Sequence, residues 1–177
     1  MGRPRGFDEA EVIRSAAGLF AMRSFDGTSV DDLVAGLSVH RNSLYKTFGS
    51  KRGLYLAALR WSLEHQVAPI AERVAVAADP AAALREASDD PGLDLLILAA
   101  VETAPTDAEV ADLVAGALAG LDRACAGIDV GADGVPRVPA PDPVATLLGL
   151  RIRARYSPAD REPAEVGATA GGRPTPS

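Results

Sequence analysis

The segment VHRNSLYKTFGSKRGLYLAAL, residues 39–59, carries the clearest structural signal in the chain. Gly49 is a residue type that ends helices, and Ser50 directly after it is a favourable N-cap. This order predicts a short helix over 40–46, a stop, and a long helix that begins after Ser50 and continues to about residue 67. The segment contains both lysines of the chain and no carboxylate, so its surface is expected to be basic.

Two more helices are predicted before this segment. A capping pattern at Asp8 precedes apolar residues that recur on one face, which predicts a first helix over 8–23. Thr28 or Ser29 would then cap a short second helix over 29–36. Only a tight turn separates that helix from the next one. Three helices in this order, with a tight turn between the second and the third, form a helix-turn-helix pattern.

Helices are also predicted in the remainder of the chain, where apolar and polar residues rarely alternate as they would in a strand. These helices are expected at 69–78, 80–88, 93–101, 107–127 and 143–156. Thr106 and Glu109 have the capping-box spacing that would begin the fourth of them. The glycine- and proline-rich segment 128–142 predicts a flexible loop, and residues 157–177 contain too few apolar side chains to fold, which predicts a disordered tail. The sequence therefore predicts an all-α protein.

Composition excludes several classes of protein. Hydrophobic residues make up 47% of the 177 residues, which is ordinary for a globular chain, and the single cysteine, Cys125, excludes an internal disulfide framework. The N-terminus lacks the apolar run of a secretory signal. The longest apolar stretch, LDLLILAAV at 93–101, has about half the length needed to cross a bilayer. We therefore predict a cytoplasmic protein with no membrane association.

The charges are divided unequally between the two parts of the chain. The formal net charge is -6, yet residues 1–60 carry nine Lys/Arg against six Asp/Glu, a balance of +3. Residues 61–177 carry nine against eighteen, a balance of -9. No acidic residue lies between Asp32 and Glu64. A basic segment within an acidic chain is typical of a protein that binds phosphates with one part only.

Two stretches together resemble the tetracycline-repressor-like (TetR) family of transcriptional regulators. AAGLFAMRSFDGTSVDDL at 16–33 is similar to the family's first helix and the entry to its second. Residues 39–59 are similar to its recognition helix, the turn after it and the start of its fourth helix. Tyr45, Phe48 and Lys51 occupy characteristic positions in that pattern. The resemblance covers about a third of the chain.

The resemblance implies two domains. The first, over 1–50, would be a helix-turn-helix DNA-binding domain, and the second, over 51–156, would be a helical domain that binds a ligand and dimerises. A family member usually ends in two long helices that form a dimerising four-helix bundle. Here only 143–156 is a good candidate for such a helix, so the second domain is expected to be shortened at its C-terminus.

Two positions depart from the family pattern. Ser24 and Ser38 stand where the family often has glycine. Glycine at a helix end supplies a left-handed backbone conformation at no steric cost. We therefore expect serine to be tolerated at both positions, at some cost in stability.

The predicted DNA contacts lie on and beside the third helix. Val39 and Leu44 would hold its inner side against the first helix, which leaves the polar residues free to face outward. Arg41 could pair with a guanine, Asn42 with an adenine, and Lys51, in the first turn of the long helix, with a phosphate. The full set of predicted contacts is Thr28, Ser29, His40, Arg41, Asn42, Ser43, Tyr45, Lys46 and Lys51.

The resemblance implies a transcriptional regulator, expected to be a repressor, that binds double-stranded operator DNA as a homodimer and responds to a small-molecule effector. It implies no enzymatic activity and no cofactor. One alternative is a helical protein or small enzyme that binds a ligand or an anion without specific DNA binding. Another is a regulator too short to dimerise. His40 and His65 are not spaced as a metal pair and have no carboxylate cluster beside them, so no metal site is predicted.

Overall fold

The computed structural model describes residues 8–126 and 142–155, and every regular element within those ranges is a helix. The α-helices are α1 (Glu9–Arg23), α2 (Val30–Leu37), α3 (Arg41–Phe48), α4 (Lys51–Ser62), α5 (Ala68–Ala75), α6 (Pro80–Ser88), α7 (Asp94–Leu98), α8 (Ala108–Cys125) and α9 (Pro143–Arg155). The predictions of an all-α fold and of an N-terminal helix-turn-helix are confirmed. The predicted tail at 157–177 and the predicted loop from 128 to 141 lie outside the described residues.

Local hydrogen bonds explain where the first helices begin. The Asp8 carboxylate accepts hydrogen bonds from two backbone N–H groups in the first turn of α1, and so caps that helix. Ser29, and not Thr28, caps α2. The Ser29 hydroxyl accepts from the Asp32 N–H, while the Asp32 carboxylate accepts from the Ser29 N–H. This reciprocal capping box is a short-range feature that can be recognised in the sequence.

The long helix that follows α3 extends further than expected, because Pro69 does not interrupt it. α4 continues through a π-helical turn, Leu63–Val67, directly into α5. Proline lacks an N–H and its ring crowds the carbonyl four residues earlier, so a helix that contains it must deform. The Ala68 N–H bonds to the Leu63 carbonyl, five residues back, which is the π-helical pattern. Residues 51–75 therefore form one continuous helical segment.

Most of the apolar segment 93–101 is packed in the interior, and Val101 at its end is exposed. A 3₁₀ turn, Pro91–Leu93, leads into α7, and a second π turn, Ala99–Thr103, follows it. Leu95 and Leu96 of α7 are at most 1% exposed. α1 packs across both α4 and α7, while α5 packs against α8 and α6 against α9. α1 therefore joins the first helices to the helices that follow them.

The N-cap of α8 lies one residue later than predicted. Asp107 caps it, because the Asp107 carboxylate accepts hydrogen bonds from the N–H groups of Glu109 and Val110. The Thr106 hydroxyl instead donates to the Thr103 carbonyl. Capping by Thr106 was therefore a wrong prediction, although the helix was placed correctly.

Three aromatic rings lie where α1 meets α4. Phe20 of α1 is fully buried, and its ring stands nearly perpendicular to that of Tyr55, at 5.0 Å between centroids. Phe25, from the loop between α1 and α2, lies 4.9 Å from Tyr55. Such edge-on and tilted pairs add attraction beyond the burial of apolar area. The Tyr55 hydroxyl is hydrogen-bonded to the Thr103 hydroxyl at 2.9 Å. This aromatic cluster (Phe20, Phe25, Tyr55) thus connects α1, its loop, α4 and the second π turn.

Ser24 and Ser38 both adopt backbone conformations that favour glycine. Their φ angles are 63° and 54°, and they are the non-glycine residues with positive φ among the described residues. Ser38, at the end of α2, is in the left-handed helical region, which costs an L-residue roughly 1–2 kcal/mol. Ser24 has a ψ of 177°, in a region occupied almost only by glycine. The expected cost of serine therefore has a structural basis at both positions.

We expect Ser38→Gly to raise the free energy of unfolding by about 0.5–1 kcal/mol. Glycine removes the left-handed penalty, and its greater freedom in the unfolded chain offsets only part of that gain. Ser15→Gly, at an exposed position within α1, is the matched control and should lower the free energy of unfolding. Urea denaturation of both variants measures the two effects. A loss of stability in Ser38→Gly would contradict the strain assigned to this turn.

Candidate nucleic-acid interface

α3 presents one side to the core and the other to solvent. Leu44 is fully buried, and Val39, in the turn before the helix, is 7% exposed. Both belong to the hydrophobic core, and the half-buried Phe48 packs against it. The exposed residues of the turn and the helix are Ser38, His40, Arg41, Asn42, Tyr45, Lys46 and Thr47. Burial of the apolar side leaves polar and basic side chains facing outward, as predicted.

Four of the exposed side chains share one face of α3. Arg41 and Asn42 are followed one helical turn later by Tyr45 and Lys46, and residues at this spacing lie above one another. We call these four residues the recognition face. Ser43, also a predicted contact, is only half-exposed. The recognition face therefore combines two cations, an amide and a phenol.

Two predicted contacts have structural roles in the loop before α2. Thr28 is fully buried, and its hydroxyl donates to the Ser24 carbonyl at 2.6 Å. A contact between the Thr28 side chain and DNA does not fit this placement, because the residue has no exposed area. Ser29 is exposed, but its hydroxyl is hydrogen-bonded to Asp32 in the capping box.

Arg41 already has an acidic partner on the neighbouring helix. Its guanidinium forms an ion pair with Asp31, in the first turn of α2. The side chains of Arg41 and Asp31 are 50% and 85% exposed. An exposed pair of this kind is worth at most about 1 kcal/mol. Arg41 can therefore exchange this carboxylate for another anion at little cost.

Lys51, the first residue of α4, is oriented by an aromatic ring. Its ammonium lies 4.1 Å from the centroid of the Phe25 ring, in a cation–π contact. Ser50 caps the helix by accepting a hydrogen bond from the Gly53 N–H. The start of a helix carries partial positive charge and favours anions. The Lys51 charge and the start of α4 therefore reinforce each other.

Arg52, the other cation at the start of α4, is held by acidic residues of α8. Its guanidinium donates to both oxygens of Asp107, at 2.6 and 2.8 Å, and to Glu109 at 2.9 Å. Arg60 pairs with Glu109 as well. The hydrogen bonds from Arg52 lower the pKa of Asp107 to about 2 and also lower the pKa of Glu109. Arg52 is therefore paired with carboxylates of the same chain and does not belong to the recognition face.

Two residues with no sequence signal contact the end of α1 and the loop that follows it. Glu102 accepts three hydrogen bonds from Ser24, Phe25 and Asp26, which are 76 to 78 positions away. Arg155 donates to carbonyl groups at the end of α1, more than 130 positions away. Glu102 resembles an ordinary helix-face charge in the sequence, because its partners come close only in the folded chain.

A short polar and basic helix, preceded by a tight turn and backed by buried side chains, has the arrangement of a helix-turn-helix motif. Residues 12–58 match the sequence model described as bacterial regulatory proteins, tetR family. This match begins within α1 and ends within α4. It thus spans the recognition face and the aromatic cluster.

Two similar proteins are named as HTH-type transcriptional regulators. The chain is 34% identical over 122 residues to the HTH-type transcriptional regulator YezE of Bacillus subtilis (strain 168). That alignment covers 63% of the chain and 62% of YezE. It is 37% identical over 71 residues to the HTH-type transcriptional repressor BdcR of Escherichia coli (strain K12), covering 40% of the chain and 36% of BdcR. The chain thus spans less than two thirds of each of these relatives.

A solved structure extends the likeness beyond the first four helices. A cysteine mutant of the TetR family transcriptional regulator CifR, complexed with 26-base-pair double-strand operator DNA, is 27% identical with a TM-score of 0.64. The match covers 87% of this chain and 90% of that one. Residues 12–58 therefore match the N-terminal domain of the TetR family of transcriptional regulators, and the likeness in fold to CifR extends over most of the chain.

Within 8–126 and 142–155, no helix is long and apolar enough to span a bilayer. Over the same ranges, no group of three or more His, Cys, Asp or Glu side chains is placed to hold a metal ion.

We expect Asp31→Asn to strengthen binding to duplex DNA by roughly twofold to fivefold, because it frees Arg41 from an exposed pair and removes a negative charge beside it. The measurement is fluorescence anisotropy with a duplex that the wild-type protein selects from a random library. Glu86→Gln, an exposed carboxylate on α6, is the matched control and should leave the affinity unchanged. Weaker binding by Asp31→Asn would show that the pair assists DNA binding instead of opposing it.

Proposed function

We propose that the chain binds double-stranded operator DNA through α3 and represses transcription. The recognition face carries this proposal: its polar and basic side chains are exposed on a helix whose opposite side is held by the buried Leu44. A helix held in this way can enter the major groove, where basic and amide side chains read base edges. BdcR is named a transcriptional repressor, and the CifR mutant structure contains operator DNA, which supports the proposal.

The proposed contacts divide into base-reading and phosphate-binding residues. Arg41 and Asn42 lie in the first turn of α3, the part of a recognition helix that meets base edges in this motif. Their chemistry suits guanine and adenine respectively. Tyr45, Lys46 and Lys51 suit phosphates, which provide affinity that does not depend on sequence. His40, exposed at the N-cap of α3, is close enough in sequence to assist either group.

We further propose that the protein acts as a homodimer. Two copies would present two recognition helices to successive major grooves, about 34 Å apart. The operator should then have two half-sites related by twofold symmetry. A protein that binds operator DNA must share a compartment with that DNA, so we propose a cytoplasmic location.

The regulatory signal is proposed to be a small molecule and not a permanently bound cofactor. A surface groove of about 340 Å³ lies between the long helix and α8. Leu63 and Val67, both in the first π turn, line it together with Ala117, while Glu72 and Arg123 contribute charges. Mostly apolar walls with a few polar groups are typical of ligand sites, and π turns are frequent at functional sites. An effector in this groove would act by binding one conformation of the dimer more tightly than the other.

Selection of duplexes from a random library by the wild-type protein tests the proposal. Recovery of one motif with twofold symmetry, bound with a steep dependence on salt, is the expected result. The alternative, a helical protein that binds anions without specific DNA binding, predicts no preference for any duplex. Sedimentation of the protein with the selected duplex tests the homodimer, because two copies per operator are expected.

Lys51→Ala is expected to weaken binding roughly fivefold to tenfold and to reduce the salt slope by about one ion. The loss should be similar for all duplex sequences, because Lys51 is proposed to contact a phosphate and not a base. Anisotropy titrations at several salt concentrations measure both quantities. Arg85→Ala, an exposed cation on α6, is the control and should change neither. An unaltered salt slope in Lys51→Ala would remove this residue from the interface.

Ala117→Phe is expected to abolish the response to effectors while preserving DNA binding, because the phenyl ring fills the groove between the long helix and α8. A thermal-shift screen of metabolites first identifies compounds that raise the melting temperature of the wild-type protein. Those compounds should also release the selected duplex from the wild type, and should do neither in Ala117→Phe. Ala115→Phe, exposed elsewhere on α8, should respond as the wild type does. A full response in Ala117→Phe would place the effector at another site.

A further inference from the structure

One carboxylate from the C-terminal helices holds the loop between α1 and α2. The Glu102 carboxylate accepts hydrogen bonds from the Ser24 hydroxyl at 2.8 Å and from the N–H groups of Phe25 and Asp26 at 2.8 and 2.9 Å. Glu102 is half-buried and lies in the second π turn, Ala99–Thr103. Three donors thus converge on a single side chain from outside the helix-turn-helix.

One cation from α9 holds the other side of the same helix end. Arg155 donates to the carbonyl oxygens of Ala21 and Met22, at 2.7 and 3.3 Å. Its guanidinium also pairs with Asp94 of α7 at 2.9 Å, and Arg151 pairs with the same carboxylate at 2.8 Å. The Arg155 side chain is 19% exposed. We call Glu102 and Arg155 the α1 clamp.

The sign of each charge in the α1 clamp matches the backbone groups that it meets. The last carbonyl groups of an α-helix have no partner inside the helix and carry partial negative charge, which a guanidinium stabilises. The loop that follows offers N–H groups, to which a carboxylate binds more strongly than a neutral acceptor does. Each charge therefore stabilises the backbone groups that it contacts: Arg155 binds the carbonyl groups at the end of α1, and Glu102 binds the N–H groups of the loop.

The α1 clamp coincides with backbone strain at Ser24. This residue has φ 63° and ψ 177°, a conformation that is rare for any residue except glycine. Strained residues persist only where their surroundings hold them, and they are concentrated at functional sites. Here the Ser24 hydroxyl and the next two N–H groups all bind Glu102, so the carboxylate holds the strained loop in place.

The clamped loop reaches the proposed DNA surface through one ring. Phe25 donates its N–H to Glu102, and its ring lies 4.1 Å from the Lys51 ammonium. The same ring packs against Tyr55, whose hydroxyl is bonded to Thr103, the residue after Glu102. A short chain of contacts therefore runs from the second π turn to Lys51.

We propose that Glu102 is a positioning residue for DNA binding, with Arg155 as its counterpart in the α1 clamp. Glu102 places Phe25 and thereby the Lys51 ammonium, and Arg155 holds the end of α1 on α9 and α7. This inference rests on the proposed function, in which Lys51 contacts a phosphate. A shift of α7 or α9 in response to an effector would change the hydrogen bonds that Glu102 and Arg155 make. It would thereby couple the later helices to the helix-turn-helix.

Glu102→Gln tests the proposal in the full-length protein. Glutamine keeps the size of the side chain, but it has one acceptor oxygen and directs an NH₂ group at the N–H donors of the loop. We expect faster amide exchange at Phe25 and Asp26, and at least about threefold weaker binding to the duplex selected by the wild type. Glu86→Gln is the matched control, expected to change neither quantity. Unaltered exchange and affinity in Glu102→Gln would overturn the positioning role.

A double-mutant cycle with Lys51→Ala distinguishes positioning from a general effect on folding. If Glu102 acts through Lys51, the Gln substitution should weaken binding less than twofold once Lys51 is absent. Equal losses in both backgrounds would overturn the proposed route. If the wild-type protein itself selects no duplex, the proposed function fails. A selected duplex that all variants bind equally overturns only the positioning role.

Ser24→Gly keeps the test independent of stability. Glycine adopts the backbone angles of Ser24 without strain, so this variant should melt no lower than the wild type, yet it lacks the hydroxyl that donates to Glu102. We expect about twofold weaker duplex binding when Lys51 is present and no loss in the Lys51→Ala background. Wild-type affinity in both Ser24→Gly and Glu102→Gln would overturn the proposal.

Discussion

The packing of Phe20 against Tyr55 is the interaction on which the rest of the structure depends. It joins α1 to α4, and both rings are almost fully buried. α4 belongs to the continuous helical segment over 51–75, whose later part packs against α8. α1 in turn contacts α2 and α7. Loss of this aromatic contact would therefore weaken the attachment of the helix-turn-helix to the helices that support it.

The cations of the basic segment around α3 differ in whether they are paired with carboxylates of the same chain. Arg52 is tied to acidic residues of α8, and so stabilises the attachment of α8 to α4. Lys46 on the recognition face and Lys51 above the Phe25 ring remain directed toward the proposed DNA surface. Arg41 is intermediate: it is paired with Asp31, but the pair is exposed and weak, so another anion can replace Asp31. The acid-free stretch of sequence thus serves both internal cohesion and recognition.

Much of the fold is predictable because the signals are local. The caps at Asp8 and Ser29 act on backbone groups two or three residues away, and periodic apolar residues place the first helices within one or two residues of their observed bounds. The boundary predicted between helices ending at 67 and beginning at 69 is absent, because a π turn accommodates Pro69 within one continuous helical segment. The burial of Thr28 also escaped prediction, because a threonine beside a helix start has the same local signature whether it is exposed or buried.

Local sequence determined the all-α class and the two-sided character of α3, because each depends on interactions within a few residues. The glycine-like turns at Ser24 and Ser38 were expected only from the family resemblance. Only the tertiary structure decided which charged groups remain available. Glu102 and Arg155 hold α1, and Asp107 holds Arg52, through contacts between residues that are 55 to 134 positions apart. The geometry of such hydrogen bonds depends on how whole helices pack, which no short stretch of sequence records.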